Sequence, residues 1–193
     1  MIFINVSQEG RVSESIETGL LCKENLPVRW RVIAEEEIRT TQIATHLLNE
    51  ERFRVINTLD DHRPESLEDN PGLSQELQKI DFKLNLILEM LGPLVAAGSD
   101  SPVTLPVLLT PHRLTLTCPD TVAVNSWLEI ELFLHARYPF PVVLFGQLDR
   151  VVSVAGETSM EVALLPLSEP AQEQYEKYLF RCHRRQIARA KKS

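Results

Sequence analysis

No apolar run in this 193-residue chain approaches the roughly 20 residues that cross a bilayer, and charged residues make up 24% of it, so no membrane insertion is expected. The opening stretch, MIFINVSQEGRVSES, has no basic segment ahead of its short apolar run. It does not read as a secretory signal, and the expected location is cytoplasmic. The three cysteines, Cys22, Cys118 and Cys182, are widely spaced and form no Cys-x-x-Cys pair; free thiols are expected. The five histidines are scattered, none with another His or Cys at metal-ligand spacing, so no metal is expected. The glycines form neither a phosphate loop nor a dinucleotide fingerprint, and Gly-x-Ser-x-Gly and His-Glu-x-x-His are absent. Without a positioned acid, base and nucleophile, the sequence gives no reason to expect an enzyme or a cofactor.

What is present is a chain whose character changes along its length. Residues 1–34 are mixed, with MIFINV and LPVRWRVI alternating like short strands. Residues 35–94 read as two long helices. The first, from Glu35 to about Leu59, has acids at its front, no Gly or Pro, and Ile38, Leu48, Val55 and Leu59 spaced along one face. The second starts after Asn70-Pro71 and is expected to falter at Gly92-Pro93, where proline removes a donor. From Leu105 to Leu167 come alternating segments, LPVLLT, RLTLT, WLEIELFLHA, PVVLFGQLDRVVSVA and MEVALLPL, separated by turn formers, which predict an antiparallel sheet or barrel. Glu129 and Glu131 alternate with Leu128, Ile130 and Leu132, so both carboxylates are expected on a solvated face and not in a catalytic pair. Asp149 and Arg150 read as a strand-end ion pair. A final helix follows Ser168, with Tyr175, Tyr178, Leu179 and Cys182 on one side.

The second helix carries a stripe at residues 73–91. Leu77, Leu84 and Leu91 take heptad a positions, and Leu73, Ile80 and Ile87 take d positions. Such a stripe packs either on the chain's own elements or on other copies. Leucine at a with isoleucine at d turns away from the parallel dimer toward trimers and tetramers, because a β-branched side chain fits poorly at the dimeric d site. Leu86, Leu88 and Met90 widen the apolar face beyond one seam. The first helix, with Thr41, Thr45 and Arg52 in its apolar register, suits an outer position around a seam of second helices.

The net charge of −7 conceals a basic end: RCHRRQIARAKKS contains no acid. Arg181 with Arg185, and Arg185 with Arg189, form i, i+4 pairs able to face a phosphate. Cations near the negative pole of a helix dipole are the plainer reading. The acidic body offers no continuous track for nucleic acid, so binding through the basic tail is the weaker alternative.

The segment order LPVLLTPHRLTLT, WLEIELFL, VVLFGQLDRVVSV and MEVALLPLSEPAQEQYEKYLFRCHRRQIARAKK resembles the PilZ domain, over Leu105 to Ser193. FGQLDRVV looks like that family's Gly-x-Val-x-Arg strand, and a heptad helix ahead of the barrel is similar to its atypical tetrameric members. The resemblance implies an α+β fold over 103–193: a six-stranded antiparallel PilZ-like β-barrel with a C-terminal basic helix, preceded by coiled-coil-type helices. It also implies a tetramer, a cyclic di-GMP signalling context, and a protein partner in motility, pilus or virulence regulation. The family's ligand signature has two parts. Its Arg-x-x-x-Arg pair finds no arginine in GPLVAAGSDSPVT, and its Asp/Asn-x-Ser-x-x-Gly turn aligns with Leu108, Thr110 and Arg113. Leucine cannot accept hydrogen bonds from guanine, and arginine lacks glycine's freedom at positive φ. The expectation is therefore an oligomeric adaptor that has lost cyclic di-GMP, with a receptor using the arginines of the last helix as the alternative.

Overall fold

In the computed structural model residues 20–61, 71–96, 101–120, 122–154 and 157–190 are described. Among them are strand β1 (Cys22–Val32), helices α1 (Glu35–Asp61) and α2 (Pro71–Ala96), and strands β2 (Val103–Leu109), β3 (Arg113–Thr117), β4 (Trp127–Leu132), β5 (Val142–Val154) and β6 (Glu157–Leu164). Helix α3 (Glu169–Ala190) follows the last strand. The six strands close into an antiparallel barrel in the order β1-β2-β3-β6-β5-β4. Closure leaves no strand edge unpaired.

The expected α+β barrel is present, but its sixth strand comes from elsewhere in the chain. Residues 1–34 read as an extension outside the barrel, whereas β1 inserts between β2 and β4 and completes it. The LPVRWRVI alternation is the physical reason, because Leu26 and Val28 point into the core while Arg29 and Arg31 point out. MIFINV lies outside the described residues.

Inside the barrel, period-two alternation brings Val107, Leu109, Leu114, Leu116, Leu128, Ile130, Leu132, Leu144, Leu148 and Val162 into one core. Each such side chain contributes about 1.5–3 kcal/mol by leaving water. Gly146 on β5 is required by space: a Cβ there would sit 2.6 Å from the Ala163 carbonyl oxygen and from Val162 Cγ1. Outside, Glu131 pairs with Arg29, and Glu129 bonds Arg31 Nε at 2.9 Å. These carboxylates are half-buried and paired. Asp149 and Arg150 do not pair with each other: Asp149 sits at the β5–β6 register shift and meets Arg113 at 2.8 Å, while Arg150 meets Glu161 at 2.8 Å. The shift aims the two neighbours at separate partners.

Helix α1 begins with Glu35, Glu36 and Glu37, which complement the positive pole of its dipole, and i, i+4 pairs Glu35–Arg39 and Glu50–Arg54 brace its surface. Of the expected Ile38, Leu48, Val55 and Leu59, its inward face keeps Ile38, with Val55 and Leu59 half-buried. Ile38, Asn49, Phe53, Ile56 and Asn57 are buried, and Leu48 is exposed. Two asparagines belong to that face because their amides find partners there. Asn49 Nδ2 donates to the Val143 carbonyl at 2.6 Å, and the Val143 N–H donates back to Asn49 Oδ1 at 3.0 Å, so the side chain extends β5 like a short strand. Asn57 Nδ2 donates to the Gln174 carbonyl at 3.0 Å. Phe53 meets Tyr175 of α3 with ring centroids 5.4 Å apart.

Helix α3 starts after Ser168, whose carbonyl accepts from the Gln172 N–H at 2.8 Å, and buries Tyr175, Tyr178, Leu179 and Cys182 as expected. The cysteines differ from expectation. Cys22 and Cys182, 160 residues apart with Cα atoms at 5.5 Å, form a disulfide joining the start of β1 to α3; Cys118 is free and buried. Spacing arithmetic cannot see a pairing made by the barrel-closing strand. Helix α2 also runs past the expected stop at Gly92-Pro93 to Ala96. So near the end, proline deprives only the last turn of a bond.

Candidate functional site

Two regions were singled out by the sequence, and the structure treats them oppositely. On α2 the heptad stripe is bare. Leu73, Leu77, Ile80, Leu84 and Ile87 are all about half exposed, Ile80 at 53%, and α2 makes no extensive packing with another described element. Leu91 falls in the same helix, but its side chain lies outside the described residues. An uncovered stripe of this length is costly for a lone helix in water, because each large side chain leaves its burial free energy unrealised.

The helix carries a second apolar row, which the sequence reading registered only in part. Phe82 (68% exposed), Leu86 and Met90 follow one another at i, i+4 and i+8. At about 100° per residue Phe82 lies roughly opposite the a/d seam. Spacing could have shown this, had Phe82 been included with Leu86 and Met90. Helix α1 turns its own exposed pair, Ile43 (76%) and Leu47 (67%), away from the barrel.

The aligned ligand turn is closed upon itself. Thr110 N–H donates to the Arg113 carbonyl at 2.9 Å, and Arg113 N–H donates to Thr110 Oγ1 at 3.0 Å, so Thr110 ties the β2–β3 hairpin. Its carbonyl accepts the Tyr175 hydroxyl at 3.0 Å, which fixes the hairpin to α3. Burial holds the Tyr175 phenol far above its ordinary pKa, in the protonated form this bond needs. Arg113 reaches away along the barrel wall to Asp149, and Leu108 is half-buried on β2 opposite Lys23.

Arg181, Arg185 and Arg189 of α3 do not make a common clamp. Arg181 donates to both the carbonyl and Oδ1 of Asn57, binding the end of α1. Arg185 lies over the Tyr178 ring, 6.0 Å from its centroid, and meets Glu24 Oε1 at 3.4 Å. Arg189 is exposed on the last turn. Sequence spacing put Arg181 and Arg185 on one helix face correctly, but that face is turned to α1 and β1. The contribution of Glu24 was missed, since nothing in its local sequence sets it apart.

No helix among the described residues is long and apolar enough to cross a membrane. The family profile described as "atypical PilZ domain, cyclic di-GMP receptor" matches residues 53–192. No curated protein matches the chain. Among solved structures, a tetrameric PilZ-domain protein from Xanthomonas campestris, described as self-assembled through an unusual helical bundle, aligns at 24% identity and TM-score 0.69. That alignment covers 89% of this chain and 92% of the other. An inhibitor of motility from Bacillus subtilis aligns at 12% identity and TM-score 0.36, over 45% of this chain and 43% of its own.

Proposed function

The chain belongs to the atypical PilZ domain family, and we propose that it acts as an oligomeric, non-enzymatic adaptor of the cyclic di-GMP signalling class whose ligand positions are closed. The observation that carries this reading is the pairing pattern: the stripe on α2 is uncovered, while Thr110, Arg113, Arg181 and Arg185 already hold partners within the chain. Freeing two of those arginines for a nucleotide would give up bonds from α3 to the end of α1 and to β1. A ligand would have to outweigh those bonds before gaining anything.

Leucine at a with isoleucine at d favours four α2 helices around the seam, in keeping with the tetramer named for the Xanthomonas protein. The Phe82, Leu86 and Met90 row then faces outward, where α1 of a neighbouring copy can cover it with Ile43 and Leu47. Four linked barrels multiply a weak contact with a protein partner by raising effective concentration, without any new contact chemistry. The partner class implied by the family is a component of motility, pilus or virulence regulation. A non-enzymatic role is supported by the wall carboxylates Glu129, Glu131, Asp149 and Glu161, each bound to an arginine and so poorly placed as a proton carrier.

A second reading is favoured by the family description itself: a cyclic di-GMP receptor that uses the α3 arginines after rearrangement. Calorimetric titration of the whole chain with cyclic di-GMP, with mass by light scattering in the same buffer, separates the two. The adaptor reading expects no saturable heat and a mass of four chains. Saturable micromolar binding would replace it with the receptor reading.

A further inference from the structure

The disulfide lies at the centre of a compact seam between the first residues of β1 and the second half of α3. Around it, the Tyr178 hydroxyl donates to Glu24 Oε2 at 3.2 Å, Gln186 Nε2 donates to the Lys23 carbonyl at 2.7 Å, and His183 Nδ1 lies 3.2 Å from the Leu21 carbonyl oxygen. Arg185 meets the other oxygen of Glu24. Every polar bond in this group joins residues 21–24 to residues 178–186, and the two sulfurs supply its one covalent link.

We propose that Cys22 and Cys182 form a redox latch that fixes the barrel-closing strand to α3 and opens by thiol–disulfide exchange. Closing removes one proton from each thiol and passes two electrons to an incoming disulfide-bearing oxidant, which leaves as two thiols. Opening reverses the step with a dithiol reductant, whose own sulfurs become joined.

The site distinguishes this pair from the third cysteine. Cys118 Sγ lies 3.0 Å from the Asp120 carbonyl oxygen, and burial raises its pKa, so its thiolate is scarce and exchange there is slow. Both latch sulfurs are themselves fully buried, so exchange must wait for the seam to open. That opening has a natural place. Cys22 is the first residue of β1, and α3 beyond Gln186 is exposed along Ile187–Ala190, where helix ends fray. In a reducing compartment the latch stays open and the seam rests on its polar bonds; in an oxidising one it closes.

Cys22, Glu24 and Cys182 also place three metal-type ligand atoms within 4.8 Å of one another. That set fits a metal poorly. A structural zinc takes four ligands, whereas this set offers three at most, and Glu24 already carries the Arg185 guanidinium, a like charge to any incoming cation.

The test is to equilibrate the whole chain in graded mixtures of oxidised and reduced glutathione, then quench and count thiols under denaturant. The latch predicts one transition, from three thiols per chain to one, with Cys118 remaining. It also predicts a melting temperature about 10 °C higher for the oxidised form, as expected when a long loop is cross-linked. Low urea should accelerate reduction. The double variant Cys22→Ala with Cys182→Ala should fold, melt with the reduced chain and lose all redox dependence. Mixed disulfides with glutathione in place of an internal bond, identical melting of the two forms, or one zinc per reduced chain lost in the double variant would each overturn the proposal.

Discussion

The barrel with α1 and α3, and the isolated α2, both draw their apolar faces from leucine and isoleucine and end in opposite states. In the barrel, alternation at period two meets five other strands of the same chain, and α1 and α3 supply side chains that bond to it. Along α2 the apolar residues recur at period 3.5, and the chain offers no described surface against which to place them. Hydrophobic pattern alone therefore does not distinguish a core from an interface. The distinction lies in whether the same chain supplies the complementary face.

If the two regions are independent, damage to the barrel should lower stability while leaving assembly intact. The largest effect is expected at Gly146→Ala, where the new Cβ would meet the Ala163 carbonyl oxygen and Val162 at 2.6 Å. A loss of about 2–3 kcal/mol in chemical denaturation is expected, with an unchanged oligomer mass at temperatures below melting. A change of mass would show that barrel and α2 are coupled. Next comes Asn49→Ala, which orphans the half-buried N–H and carbonyl of Val143 and should cost about 2 kcal/mol. Equal stability would mean that α1 is held by apolar contact alone.

Tyr175→Phe should cost about 1 kcal/mol at neutral pH by removing the bond to Thr110. It also carries a pH signature. Because the folded phenol's pKa lies above its unfolded value near 10, the folded state disfavours the tyrosinate. Its contribution is complete below pH 10 and is lost as pH rises above it; the phenylalanine variant should lack this component of alkaline unfolding. Arg113→Ala, which breaks an exposed pair with Asp149, should change stability by only about 0.5 kcal/mol. A large loss there would show that the hairpin depends on more than its own backbone bonds.

Much of this was legible beforehand where period and residue type agreed. β2 to β6 and α3 follow from alternation, turn formers and the buried row of Tyr175, Tyr178, Leu179 and Cys182. Where the outcome depended on distant partners, local pattern was insufficient. LPVRWRVI read correctly as a strand but gave no sign of joining β2 and β4. Asn49 and Asn57 did not figure in the expected inward face of α1, because their backbone partners lie 94 and 117 residues away. The arginines of α3 showed their shared face but not that Asn57 and Glu24 would occupy it. The α2 stripe was legible as a stripe, but its spacing did not say whether the same chain or another copy covers it; in the single chain it is left exposed.

The most direct test of the central claim is the mass of Ile80→Asp with Ile87→Asp, measured by light scattering beside the unaltered chain, with barrel melting followed in both. The account predicts that carboxylates in the seam reduce four chains to smaller particles while the melting of the latched barrel persists. An unchanged mass, or a barrel that unfolds along with the stripe, would contradict it and return α2 to the chain's own core.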